Sequence, residues 1–147
     1  MSEPVATPAP PLLAIFAVEA RAHMAALDAG LAALAVGTAP QALAAMLEAL
    51  HTLAGAAHVV DLRELEWLAR ALERVIGAAA AANAALTALQ CALLAEAVAL
   101  ARQLLGEAGE RSGKRPLTLV AQLDALAREL AVVTPCNPST EHRTATP

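Results

Sequence analysis

At 147 residues the chain is long enough to bury one core of ordinary size. Hydrophobic residues make up 58% of it, yet there is one Phe, one Trp and no Tyr, and Ala alone accounts for more than a quarter of the chain. Ala is the best helix former while strands draw on β-branched and aromatic residues, so β folds are excluded and an all-α chain with Leu filling the core is expected. The net charge of −4 comes from intermixed acidic and basic residues, which excludes the basic stripe of a nucleic-acid binder and the Lys/Arg-rich face of a membrane-surface helix.

Cys91 and Cys136 form neither a metal-ligand spacing nor a disulfide framework. The opening MSEPVATPAP lacks the basic and apolar regions of a signal peptide, so a cytoplasmic location is expected. The uncharged run 78–95 approaches the length of a membrane span. It is mostly Ala, however, carries Asn83, Thr87 and Gln90, and keeps Leu86, Leu89, Leu93 and Leu94 at helical spacing. The expected answer is no membrane crossing.

In chain order, residues 1–11 are Pro/Ala/Thr-rich and read as a disordered segment. A first helix over 12–35 buries Leu13, Phe16, Ala20, Leu27, Leu31 and Leu34, and Gly37 stops it. Pro40 opens a second helix over 40–58, with Leu43, Met46, Leu47, Leu50, Leu53 and Ala57 on one buried face. Asp61 and Glu64 have the spacing of a capping box for a third helix that buries Leu62, Leu65, Leu68, Leu72, Val75 and Ile76, with Gly77 a weak point near its end. A fourth helix is expected over 83–105, with Leu86, Leu89, Leu93, Leu100 and Leu104 inward. After the polar loop EAGERSGKR, Pro116 starts a fifth with Leu119, Leu123, Leu126 and Leu130 inward. Residues 12–132 thus form the folded unit and 133–147 a disordered tail or linker. Short connections make successive helices antiparallel. The expected architecture is an antiparallel up-down four-helix bundle, with the fifth helix an appendage or cover.

The chemistry is narrowed by the histidines. His142 lies in the polar tail, His23 beside the buried stripe of the first helix, and His58 at the C-terminal end of the second, where an imidazolium suits the helix dipole. His51 falls roughly 80° or more round the helix from the buried face, at about 100° per residue, so a partner can reach it. Gly55 lies one turn on, on the same flank. A helical Gly costs about 1 kcal/mol relative to Ala, which points to close approach by another molecule. Glu73 follows the buried Leu72 as His51 follows the buried Leu50, so antiparallel packing can join carboxylate to imidazole. Such a bond fixes the ring tautomer and frees the other nitrogen as a nucleophile. A structural His–Glu hydrogen bond with no chemistry has the same sequence pattern.

The segment His51-Thr52-Leu53-Ala54-Gly55-Ala56-Ala57 resembles the H-x-x-K-G-x-A signature of histidine phosphotransfer (HPt) domains, in particular those heading chemotaxis-type histidine kinases. FAVEARAHMAALDAGLAAL, residues 16–34, is similar to the first helix of those domains, and the resemblance spans roughly 12–130. It implies a four-helix bundle with a supporting fifth helix, His51 as phosphoacceptor and Glu73 as the residue orienting its ring. The positions expected to face a partner are Glu48, Ala54, Gly55 and His58. The resemblance implies a phosphorelay module that takes a phosphoryl group from a histidine kinase catalytic domain, or from a receiver phospho-aspartate, and passes it to a receiver-domain aspartate. There is no nucleotide-binding loop or acidic metal cluster, so no cofactor is expected and ATP and Mg²⁺ fall to the partner domains. Ala54 stands where the family has a lysine that helps neutralise the phosphoryl group, and His58 where a small residue is usual. The alternative reading is a degenerate bundle of the same family, a non-catalytic adaptor for a receiver or kinase.

Overall fold

The computed structural model describes residues 12–37, 39–107 and 116–133; the expected disordered ends at 1–11 and from 134 lie outside them. Five helices follow one another: α1 (Leu12–Val36), α2 (Pro40–Val59), α3 (Arg63–Ala82), α4 (Ala88–Gly106) and α5 (Leu117–Val133). No strand occurs among the described residues, as the composition requires.

α1 packs on α2, α2 on α3, α3 on α4 and α4 back on α1, which closes a four-helix ring. The ring is filled by Leu27, Met46, Leu50, Leu53, Leu65, Leu68, Leu72, Ile76, Leu94 and Val98, all essentially without solvent exposure. Small residues let the helices approach closely. At Gly30 on α1 a Cβ would stand 2.3 Å from Met46 Cγ and Sδ, so only glycine admits that methionine. Arg102 on α4 reaches Asp28 on α1 across the surface of the closing pair.

Of the two readings expected for the fifth helix, appendage or cover, the cover is the one observed. α5 lies mainly against α3, with a smaller contact to α4, and buries Leu119, Leu123, Leu126 and Leu130. Arg74 on α3 donates to Asp124 Oδ1 through Nε at 3.0 Å and Nη2 at 2.6 Å. Enclosed between the ring and α5, α3 buries eight residues, including Ala69, Ala71 and Ala79 beside the Leu, Val and Ile positions.

Three boundaries differ from the sequence expectation. Asp61 does not cap α3, whose N-cap is Leu62 with no side-chain hydrogen bond. Instead Asp61 takes φ 58 and closes α2: its N–H reaches the His58 carbonyl at 3.2 Å and the Leu62 N–H reaches Ala57 at 2.9 Å. That is the left-handed C-terminal motif usually given to glycine, and the Asp61 carboxylate accepts instead from Arg63 Nε at 3.1 Å. Second, α3 does not end near Gly77 but continues to Ala82 and closes the same way on Asn83 (φ 47). Third, α4 therefore begins later than expected, after Thr87, whose hydroxyl accepts from the Gln90 N–H at 3.1 Å while Gln90 Oε1 accepts from the Thr87 N–H at 2.9 Å. The 78–95 run is thus broken between α3 and α4 and forms no single span. The helices long and apolar enough to cross a membrane are Pro40–Val59 and Ala88–Gly106, and both supply side chains to the buried core.

Candidate functional site

The site is built on the edge where α2 meets α3. On α2, Leu43, Met46, Leu50, Leu53 and Ala57 turn into the core, which leaves Glu48, His51, Gly55 and His58 exposed. On α3, Leu65, Leu68, Leu72, Val75 and Ile76 turn inward, and Glu66, Arg70 and Glu73 are left along the edge at helical spacing.

The expected meeting of His51 and Glu73 occurs. His51 Nδ1 lies 2.9 Å from Glu73 Oε1, the imidazole side chain 77% exposed and the carboxylate 28%. A carboxylate beside Nδ1 holds the proton on that nitrogen and leaves the lone pair on Nε2. No hydrogen bond engages Nε2 among the described residues, so the chemically free nitrogen is the solvent-facing one. A histidine retained only to satisfy a buried carboxylate would have its ring covered; here the ring is open and the carboxylate is the partly covered partner.

Gly55 follows one turn after His51, and a Cβ at Gly55 would meet nothing within 4 Å. Internal packing therefore does not require glycine there, and the space it leaves opens to solvent beside the ring. Glu48, one turn before His51, is also exposed. Ala54, expected among the partner-facing positions, is fully buried. It offers a partner no surface.

His58 was expected at the C-terminal end of α2, suited to the helix dipole and facing a partner. There it makes a second pair of the same kind. Its Nδ1 lies 3.1 Å from Glu66 Oε2, with the ring 71% exposed and the carboxylate 14%. Glu66 Oε1 accepts from Arg70 Nε at 3.0 Å. The hydrogen bond from His58 holds the Glu66 carboxyl below its ordinary value of 4.5, aided by Arg70 and opposed by partial burial, so the carboxylate stays ionised as an acceptor. Sequence reading missed Glu66 and Arg70. The signal that could have found them is the spacing: Glu66 precedes Glu73 by seven residues and His58 follows His51 by seven, which in an antiparallel pair is one register.

Among the described residues no three His, Cys, Asp or Glu side chains converge as a metal site. What the edge can do chemically is present an imidazole nitrogen, oriented from behind, to an electrophile delivered from solvent.

No curated protein and no solved structure matches the chain. A family model described as Hpt domain matches residues 11–131, a stretch that contains all five helices except the last residues of α5 and includes both His51 and Glu73. The chain belongs to the Hpt domain family, the phosphotransfer modules of phosphorelay signalling, which work with kinase and receiver domains.

Proposed function

We propose that His51 is the phosphoacceptor of this module. It takes a phosphoryl group from ATP held by a histidine kinase catalytic domain, or from a receiver phospho-aspartate, and passes it to a receiver aspartate. The observation that carries the reading is the exposed His51 ring held through Nδ1 by Glu73 at 2.9 Å. In the step, the Nε2 lone pair attacks phosphorus. The bond from phosphorus to the leaving oxygen breaks with its electron pair remaining on that oxygen, and the Nδ1 proton stays donated to Glu73, which stabilises the imidazolium as it forms. Delivery to a carboxylate is the reverse attack, with the imidazole as leaving group. Nucleotide and Mg²⁺ belong to the partner domains in this scheme. The resemblance of 16–34 and 51–57 to phosphotransfer domains of chemotaxis-type kinases supports a cytoplasmic pathway of that kind.

Replacing His51 by Gln removes the acceptor nitrogen and is expected to abolish acid-labile label from a cognate kinase with ATP. Glu73→Gln is expected to slow labelling roughly tenfold, the equivalent of about 1.5 kcal/mol for a hydrogen bond to a charged group. Label persisting in His51→Gln at the wild-type rate would sink the assignment. The second reading, an adaptor that binds a receiver or kinase without accepting phosphate, draws on Ala54, whose buried methyl replaces the family's lysine. It predicts receiver binding with no label on wild-type protein, so the same experiment separates the two.

A further inference from the structure

The His58–Glu66 pair is the His51–Glu73 pair moved seven residues forward along α2 and seven back along α3. Seven residues bring a helix back to nearly the same face after two turns, roughly 10 Å along the axis. The two rings therefore stand on one edge, each anchored through Nδ1 by a carboxylate from the same neighbouring helix. Exposure repeats as well, at 77% and 71% for the rings against 28% and 14% for the carboxylates. Gly55 sits between them, four residues after His51 and three before His58, with open space where its Cβ would be. The approach it clears serves both rings.

We propose that His58 is a second phosphoryl-accepting histidine, held by Glu66 as His51 is held by Glu73. The reacting nitrogen is Nε2, which no hydrogen bond engages among the described residues. Its lone pair attacks the phosphorus of an activated phosphoryl donor. The bond to the leaving group breaks, the electron pair departs with that group, and the Nδ1 proton remains on the ring, donated to Glu66. Arg70 on the other Glu66 oxygen, at 3.0 Å, holds that carboxylate from its far side and helps keep it ionised as the acceptor of the Nδ1 proton. A histidine present only to tie α2 to α3 would not need that free, solvent-facing nitrogen, since Arg70 already partners Glu66.

The inference does not depend on His51 being an acceptor, and the test is run with His51 removed. Potassium phosphoramidate supplies the phosphoryl group without any kinase, ammonia being the leaving group. The full chain is compared as wild type, His51→Gln, His51→Gln/His58→Gln and His51→Gln/Glu66→Gln. Phosphoryl uptake is read by intact mass at neutral pH, localised by fragmentation, with His142 in the same chain as reference and circular dichroism confirming that each variant is folded. In His51→Gln, residue 58 is expected to gain an acid-labile phosphoryl group about tenfold faster than His142. That label is absent in His51→Gln/His58→Gln, and with Glu66→Gln its rate falls to that of His142. Labelling of residue 58 no faster than His142, or at a rate indifferent to Glu66→Gln, overturns the proposal. Label at His58 but none at His51 in the wild type would instead count against the phosphoacceptor assigned above, so the two failures are distinguishable.

Discussion

At the scale of single residues, the α2–α3 edge gives up stability for access. Gly55 sits mid-helix with nothing near its missing Cβ, so Ala would fit without strain and recover helix propensity. Gly55→Ala is expected to raise stability by up to about 1 kcal/mol while slowing phosphoryl transfer between this chain and a receiver; thermal melts and label-transfer kinetics on one preparation check both. Glu66 makes the opposite kind of contribution. Its folded-state carboxyl lies below the ordinary 4.5 because His58 and Arg70 favour the charged form. A carboxylate with a lowered value stabilises the fold above its unfolded value, and the contribution is lost as pH falls through the lowered one. Glu66→Gln should therefore lose stability relative to wild type at pH 6, and the gap should close as the solution is acidified below about 4.5, followed by melting temperature across that range.

The elements show what a sequence can convey and where it stops. The existence of all five helices was legible because Leu recurs at 3- and 4-residue steps in a chain with almost no competing β-formers, but the inward face of α4 was not: Leu89 is 81% exposed, and Leu94, Ala97, Val98 and Ala101 are buried with Leu104 instead. The His51–Glu73 bond was legible because both residues directly follow a buried Leu, which fixes their side of the helix once antiparallel packing is assumed. Helix ends were harder. Asp61 precedes Glu64 by three residues and reads as a capping box, but the same Asp tolerates a positive φ, and closing α2 requires one there. Asp thus carries a start signal and a stop signal at once, and the tight α2–α3 turn decides between them. Thr87 with Gln90 forms a true box, overlooked because Ala-rich sequence on both sides of Asn83 gives no change of period to mark the break. The second pair escaped notice for a related reason. His58 is at the helix end, where the dipole alone accounts for a histidine, and only the three-dimensional register shows Glu66 opposite it. The burial of Ala54 follows from its neighbours: one residue after Leu53 and three before Ala57, it falls inside the buried arc.

For the whole molecule the deciding feature is the status of α5, which the sequence left open between appendage and cover. Because it buries four leucines, mostly against α3, it belongs to the cooperative unit. Leu123→Ala is expected to cost about 2–5 kcal/mol and to lower the midpoint of a single transition. Denaturant unfolding followed by circular dichroism and by Trp67, which is 42% exposed on α3, should give coincident curves. Loss of α5 structure in a separate earlier step would restore its reading as an appendage. The Ala-rich interior works in the same direction: little apolar area is buried per residue, so the leucines that are present carry a large share of the stability.

Enclosure of α3 between the ring and α5 also has a kinetic side. A helix covered on both flanks can expose its amides only when the surrounding structure opens, so its hydrogens exchange on the timescale of global unfolding rather than of local fraying. Glu66 and Glu73 project from that enclosed helix, whereas the rings that they hold stand in solvent on α2. The carboxylates are therefore fixed before any partner arrives, and little ordering is left to be done at the moment of encounter.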